Sequence, residues 1–100
     1  MTETVVLAKA TGAGNSDDFT VNRTPVTVSA YPEANLGSDT GELARKNPDG
    51  TYDDVFANGA VVACSATNPQ FIVYGAGPYR IEFSARAAAI GVVYEASPLA

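Results

Sequence analysis

Tyr79-Arg80-Ile81-Glu82-Phe83-Ser84-Ala85-Arg86 alternates apolar and polar side chains without a break. Successive side chains of an extended chain point to opposite faces. Tyr79, Ile81, Phe83 and Ala85 therefore share one face, and Arg80, Glu82, Ser84 and Arg86 share the other. One dry face and one wet face is the pattern of a strand in an antiparallel sheet.

The same alternation appears on both sides of this stretch. Downstream, Ile90, Val92 and Tyr94 face one way within a last strand over 90–95, and 97–100 reads as a loose tail. Between the two strands, 85–89 has high helix propensity. It is too short to hold a helix alone, so it reads as a loop or a single turn. Upstream, Gly75-Ala76-Gly77-Pro78 is a turn, 71–74 a strand, and Asn68-Pro69 a break. Asn58-Gly59 predicts a tight hairpin turn leading into the apolar run 60–65.

Pro48-Asp49-Gly50 lies between strand-like runs at 42–46 and 52–56. Proline presets φ, aspartate bonds the local backbone and glycine takes positive φ, so a hairpin tip is predicted at Asp49-Gly50. Earlier strands are predicted at 4–10, 19–21 and 26–30, the last with Val26, Val28 and Ala30 on one face. Eight or so short strands separated by turn signals predict an all-β fold, an antiparallel β-sandwich or jelly-roll-like barrel. One hundred residues make one domain, 1–100.

Residues 31–41 hold Pro32, Asn35, Gly37, Ser38 and Asp39, which is loop chemistry. The stretch is long for a hairpin connection. It is expected to serve something other than packing, with Tyr31 and Leu36 as candidate contacts.

The net charge is −5, from eleven acidic and six basic residues with no block of either sign. Such a balance supports solubility and argues against nucleic acid and anionic membranes as partners. No apolar run approaches the length of a membrane helix. Met1-Thr2-Glu3 lacks basic residues and 5–8 is short for a signal core, so synthesis and action in the cytoplasm, or departure within an assembly, are expected.

Histidine is absent, which removes the commonest general base and transition-metal ligand. Cys64 is the only cysteine; it lies in an apolar run and reads as a small buried hydrophobe. Asp53-Asp54 is a poor acid–base pair, because neighbouring side chains on a strand diverge. The loop acids Asp17, Asp18, Asp39, Asp49 and Asp53 suggest calcium, yet no calcium-loop motif joins them, and solvated acids are the simpler reading. Gly75-Ala76-Gly77 has neither the lysine nor the helix of a phosphate loop. No catalytic, cofactor or metal residues are therefore assigned, and no enzyme is expected. Five tyrosines suit either sheet-edge packing or a protein interface. Arg80 suits an interface or, more simply, an exposed strand position.

The succession Asn47-Pro48-Asp49-Gly50-Thr51-Tyr52-Asp53-Asp54-Val55, Asn58-Gly59-Ala60-Val61-Val62 and Gly75-Ala76-Gly77-Pro78-Tyr79-Arg80-Ile81 resembles small β-sandwich virion proteins of tailed bacteriophages. The specific part of the resemblance covers 47–81. The long 31–41 loop and Thr67-Asn68-Pro69-Gln70 depart from it. The resemblance implies a capsid decoration, cement, head-fibre or tail-associated protein located in the virion. Its partner would be the major capsid protein or another virion protein, and it would be a homo-oligomer. The alternative is a carbohydrate- or receptor-binding module of a fibre or tail. Candidate partner-binding residues are Tyr31, Leu36, Tyr74 and Arg80.

Overall fold

In the computed structural model, which describes residues 4–22 and 24–96, residues 79–83 of the alternating stretch lie in an inner strand of a sheet. The strand segments in chain order are β1 Thr4–Ala10, β2 Gly14–Asn15, β3 Phe19–Val21, β4 Val26–Tyr31, β5 Gly41–Lys46 and β6 Tyr52–Asp54. They continue with β7 Phe56–Ala57, β8 Ala60–Val61, β9 Ala63–Cys64, β10 Gln70–Val73, β11 Gly77–Phe83 and β12 Ile90–Ala96. The expected tail 97–100 lies outside the described residues.

All pairings are antiparallel, and they reduce to eight strand positions. Sheet 1 runs β1-β12-β4-β10. In sheet 2, β2 and β3 lie end to end along one edge of β11, against Phe83-Glu82 and Tyr79-Pro78-Gly77. Likewise β6 and β9 share one edge of β5. Between them the chain leaves the sheet as the β7–β8 ribbon and returns through hydrogen bonds from Val55 N–H to Leu43 O and from Leu43 N–H to Val62 O. Numbered by position, sheet 1 is 1-8-3-6 and sheet 2 is 2-7-4-5. Strands pair first with last and inward to the central hairpin, which is jelly-roll connectivity.

The core forms where the inner faces meet. Val6, Val26, Val28, Ala30, Val73, Ile90 and Val92 come from sheet 1; Phe19, Val21, Leu43, Cys64, Tyr79, Ile81 and Phe83 come from sheet 2. Tyr94, Phe19 and Tyr79 stack across the gap, with centroids 5.2 and 6.1 Å apart. Tyr79 donates its hydroxyl proton to Gly75 O at 2.8 Å, which satisfies its polar end.

Both predicted tight turns form. At 47–51, Gly50 takes φ +91° and its N–H reaches Asn47 O, while Asp49 Oδ1 accepts from the Thr51 amide and hydroxyl. Asn58 and Gly59 both take positive φ, as a type I′ hairpin turn requires.

Two expectations are corrected. Arg86, placed on the wet face by alternation, is buried. β11 ends at Phe83 and the chain bends at Ser84, so the period stops before Arg86. Residues 31–41 also pack. A 3-10 turn, Glu33–Asn35, delivers Leu36 into the core with no exposed surface. Asn35 Nδ2 donates to Ala89 O at 2.8 Å, and Asp39 Oδ2 accepts from Ala87 N–H at 2.8 Å, pinning this loop to the 84–89 segment. Leu36 is therefore a core plug and not a partner contact in this conformation.

Candidate partner-binding surface

The two outer faces of the sandwich differ in charge. The strands of sheet 1 carry Lys9 and Glu95 as their only charged residues. Sheet 2 turns Glu42, Lys46, Asp54, Arg80 and Glu82 outward, while Arg45 and Asp53 share the row of the core residue Tyr79. The asymmetry follows from the outward positions of β4, β10 and β12, which hold Thr27, Ser29, Gln70, Ile72 and Val93.

Register sets these outward residues in rows. Val5, Val93, Ser29 and Gln70 form one row across the sheet; Glu95, Thr27 and Ile72 form the next. Tyr31 stands beside Gly91 in a third. A Cβ on Gly91 would meet the Tyr31 ring at 2.6 Å and Leu7 O at 2.8 Å, so the ring lies directly on the glycine. A shallow hollow of about 600 Å³ opens between Val5 and Val93 on one side and Tyr31, Pro32 and Glu33 on the other. A second, of about 660 Å³, lies at one end of the sandwich among Thr20, Asn22, Thr24, Ala76 and Tyr94, and offers hydroxyls and an amide.

On the outer face of sheet 2, Arg80 and Lys46 each pair with an acid. The Arg80 guanidinium stacks 3.5 Å from the Tyr52 ring centroid and pairs with Glu82 at 2.8 Å. Tyr52 donates its hydroxyl proton to Asp18 at 2.7 Å, and Lys46 pairs with Asp18 at 3.3 Å. The Tyr52 hydroxyl, then Lys46, hold the Asp18 carboxyl below the ordinary carboxylate range, and the same bond pushes the Tyr52 phenol up. Asp49 is lowered by its bonds from the Thr51 hydroxyl and amide. Asp53 accepts from Asn47 Nδ2 at 2.9 Å and Asp39 accepts from Ala87 N–H, so Asp18, Asp39, Asp49 and Asp53 serve separate local bonds. Among the described residues no group of three or more acids or cysteines is placed to hold a metal.

The candidate residues do not converge on one site. Tyr31 lies on the outer face of sheet 1, half buried. Tyr74, just past β10, is 72% exposed. Arg80 sits in the sheet 2 network, and Leu36 is in the core. The tyrosines split by role: Tyr79 and Tyr94 pack the core, Tyr52 supports Arg80, and Tyr31 and Tyr74 remain at the surface. Composition missed Val5 and Ile72, 55% and 46% exposed, whose outward direction depends on strand register. It also missed Phe56, 65% exposed on the β7–β8 ribbon.

Comparison with protein-family models, with curated proteins and with solved structures finds no match.

Proposed function

We propose that the chain is a non-enzymatic structural protein of a bacteriophage particle. In this reading it is a decoration or cement protein that lies on the outside of the head, with the outer face of sheet 1 against the capsid and the charged face of sheet 2 toward solvent. The division of charge between the two faces carries the reading. Desolvating charge is costly even when it is paired, whereas valine gains from being covered and a serine, threonine or tyrosine hydroxyl costs far less than a charge and can bond the partner. The rigid sandwich and its jelly-roll connectivity, an arrangement shared by viral capsid domains, support it. Fold alone does not carry function, so the weight rests on the surface. Binding to a repeating lattice lets modest affinity per copy suffice.

Mass spectrometry of the purified source particle tests this. The protein should be present in a fixed, lattice-related ratio to the major capsid protein. Its absence from particles that are otherwise complete would remove the proposal.

The second reading is a glycan- or receptor-binding module of a fibre or tail. Tyr74 favours it, since an exposed ring beside the Gly75-Ala76-Gly77 turn offers a stacking platform for a sugar. Specific binding on a glycan array, abolished by Tyr74→Ala, would select it over decoration.

A further inference from the structure

Among the described residues sheet 1 ends on β10, and no described strand pairs with its outer edge. Open strand edges invite pairing, and folded proteins guard them with charge, bulges, proline or interruption. The other three edges here are guarded. β1 shows two register shifts against β12. The β2–β3 edge is interrupted at Ser16-Asp17-Asp18, with two acids in the gap. The β6–β9 edge carries Asp53 and Asp54 and is broken by the β7–β8 ribbon.

Within its own four residues β10 has none of these devices; Pro69 stands just before it. It pairs with β4 through four consecutive residues without a shift. Gln70-Phe71-Ile72-Val73-Tyr74 contains no charge and no proline, and is rich in residues that favour strands. Ile72 and Tyr74 are two of the four large apolar residues that the fold leaves exposed among those described. The main chain also points the right way. Ala30 N–H bonds Pro69 O at 3.0 Å, so by antiparallel alternation Phe71 and Val73 bond to β4. Gln70 and Ile72 then turn their N–H and C=O groups to the open edge.

We propose that this edge is a homodimer interface, in which β10 pairs antiparallel with β10 of a second copy about a two-fold axis at Ile72. Ile72 then faces Ile72 of the other copy, Phe71 faces Val73, and Gln70 faces Tyr74, so the segment complements itself as a two-fold contact requires. Charge points to a copy of this chain as the occupant. The chain is acidic, at net −5, and two copies can approach only where acids are remote. Glu95 shares a row with Ile72 but lies two strands away, about 10 Å by strand spacing. That exceeds the ~8 Å Debye length at physiological salt. Pairing would fuse two copies of sheet 1 into one continuous sheet with a doubled, sparsely charged face. The interface does not depend on the virion proposal.

Sedimentation of the full chain over a range of concentrations tests it. A short edge gives a small interface, so a concentration-dependent monomer–dimer equilibrium is expected. Ile72→Lys sets like charges face to face and should raise the dimer dissociation constant at least about a hundredfold. In a hydrogen-bonded antiparallel pair, facing Cα atoms lie about 5.5 Å apart, within disulfide reach. Ile72→Cys should therefore give a covalent dimer on mild oxidation, while Val5→Cys, on the opposite edge strand, should not; Cys64 is buried and silent. A wild-type chain that stays monomeric up to its solubility limit overturns the proposal. So does a dimer that survives Ile72→Lys, or one that fails to cross-link through Ile72→Cys.

Discussion

Arg86 is the residue whose environment departs furthest from its chemistry. Its guanidinium is buried without a carboxylate partner among its described contacts, and it donates from Nε to Gly12 O and from Nη1 to Ile90 O, both at 2.7 Å. Gly12 N–H bonds back to Arg86 O at 2.9 Å. One side chain thus ties the β1–β2 turn to the start of β12. A planar fork spans both carbonyls; a lysine ammonium does not have that geometry. Hydrogen bonds to charged groups contribute about 1.5–3 kcal/mol each, so Arg86→Ala should cost roughly 3 kcal/mol or more. Arg86→Lys should recover only part of it, as read from urea midpoints.

Cys64 makes the second residue-scale prediction. Burial pushes its thiol from 9.0 up to about 12. The folded protein holds this proton more tightly than the unfolded chain, so Cys64 contributes full stability below pH 9.0. That contribution is lost as pH rises toward 12. Native protein at pH 8 should resist a thiol reagent that labels it at once in denaturant. Cys64→Ala should flatten the alkaline loss of stability.

Strands and turns were the legible elements. Gly50 at positive φ is where the turn chemistry of Pro48-Asp49-Gly50 put it, and the space around it is open. Gly50→Ala should therefore cost about 1 kcal/mol from backbone strain alone. The inner face of β11 is also as alternation predicts, with Tyr79, Ile81 and Phe83 buried. Phe83→Ala should cost roughly 3–5 kcal/mol, most of the stability of an ordinary domain. Both losses can be read from denaturant unfolding. Alternation is local, so it gave faces wherever a strand continued and failed at Ser84, where the chain bends. Leu36 was illegible for a related reason. One apolar residue among loop formers has no period to declare its direction, and only the Asn35 and Asp39 bonds to 84–89 fix it inward.

At the scale of the whole molecule, the sequence showed few cations and several tyrosines but not how they are distributed. The charge asymmetry needs the strand order, because β4, β10 and β12 are separated in sequence and adjacent only in sheet 1. That order changes the candidate surface from the 31–41 loop to a sheet face of which Tyr31 forms one corner. Attachment through such a face should resist salt. Exposed ion pairs are largely screened beyond a Debye length of ~8 Å at physiological ionic strength, whereas buried apolar contacts persist. Raising salt from about 0.1 to 1 M, where that length falls to about 3 Å, should leave most copies on the particle. The most direct measurement is the fraction of copies that purified particles retain when a charge is placed on each face in turn. Ser29→Asp sits mid-row on sheet 1, and Glu42→Lys reverses a charge on sheet 2. With both variants folded by circular dichroism, Ser29→Asp should come off the particle and Glu42→Lys should stay. Retention of Ser29→Asp with loss of Glu42→Lys would contradict the docking face proposed for this domain.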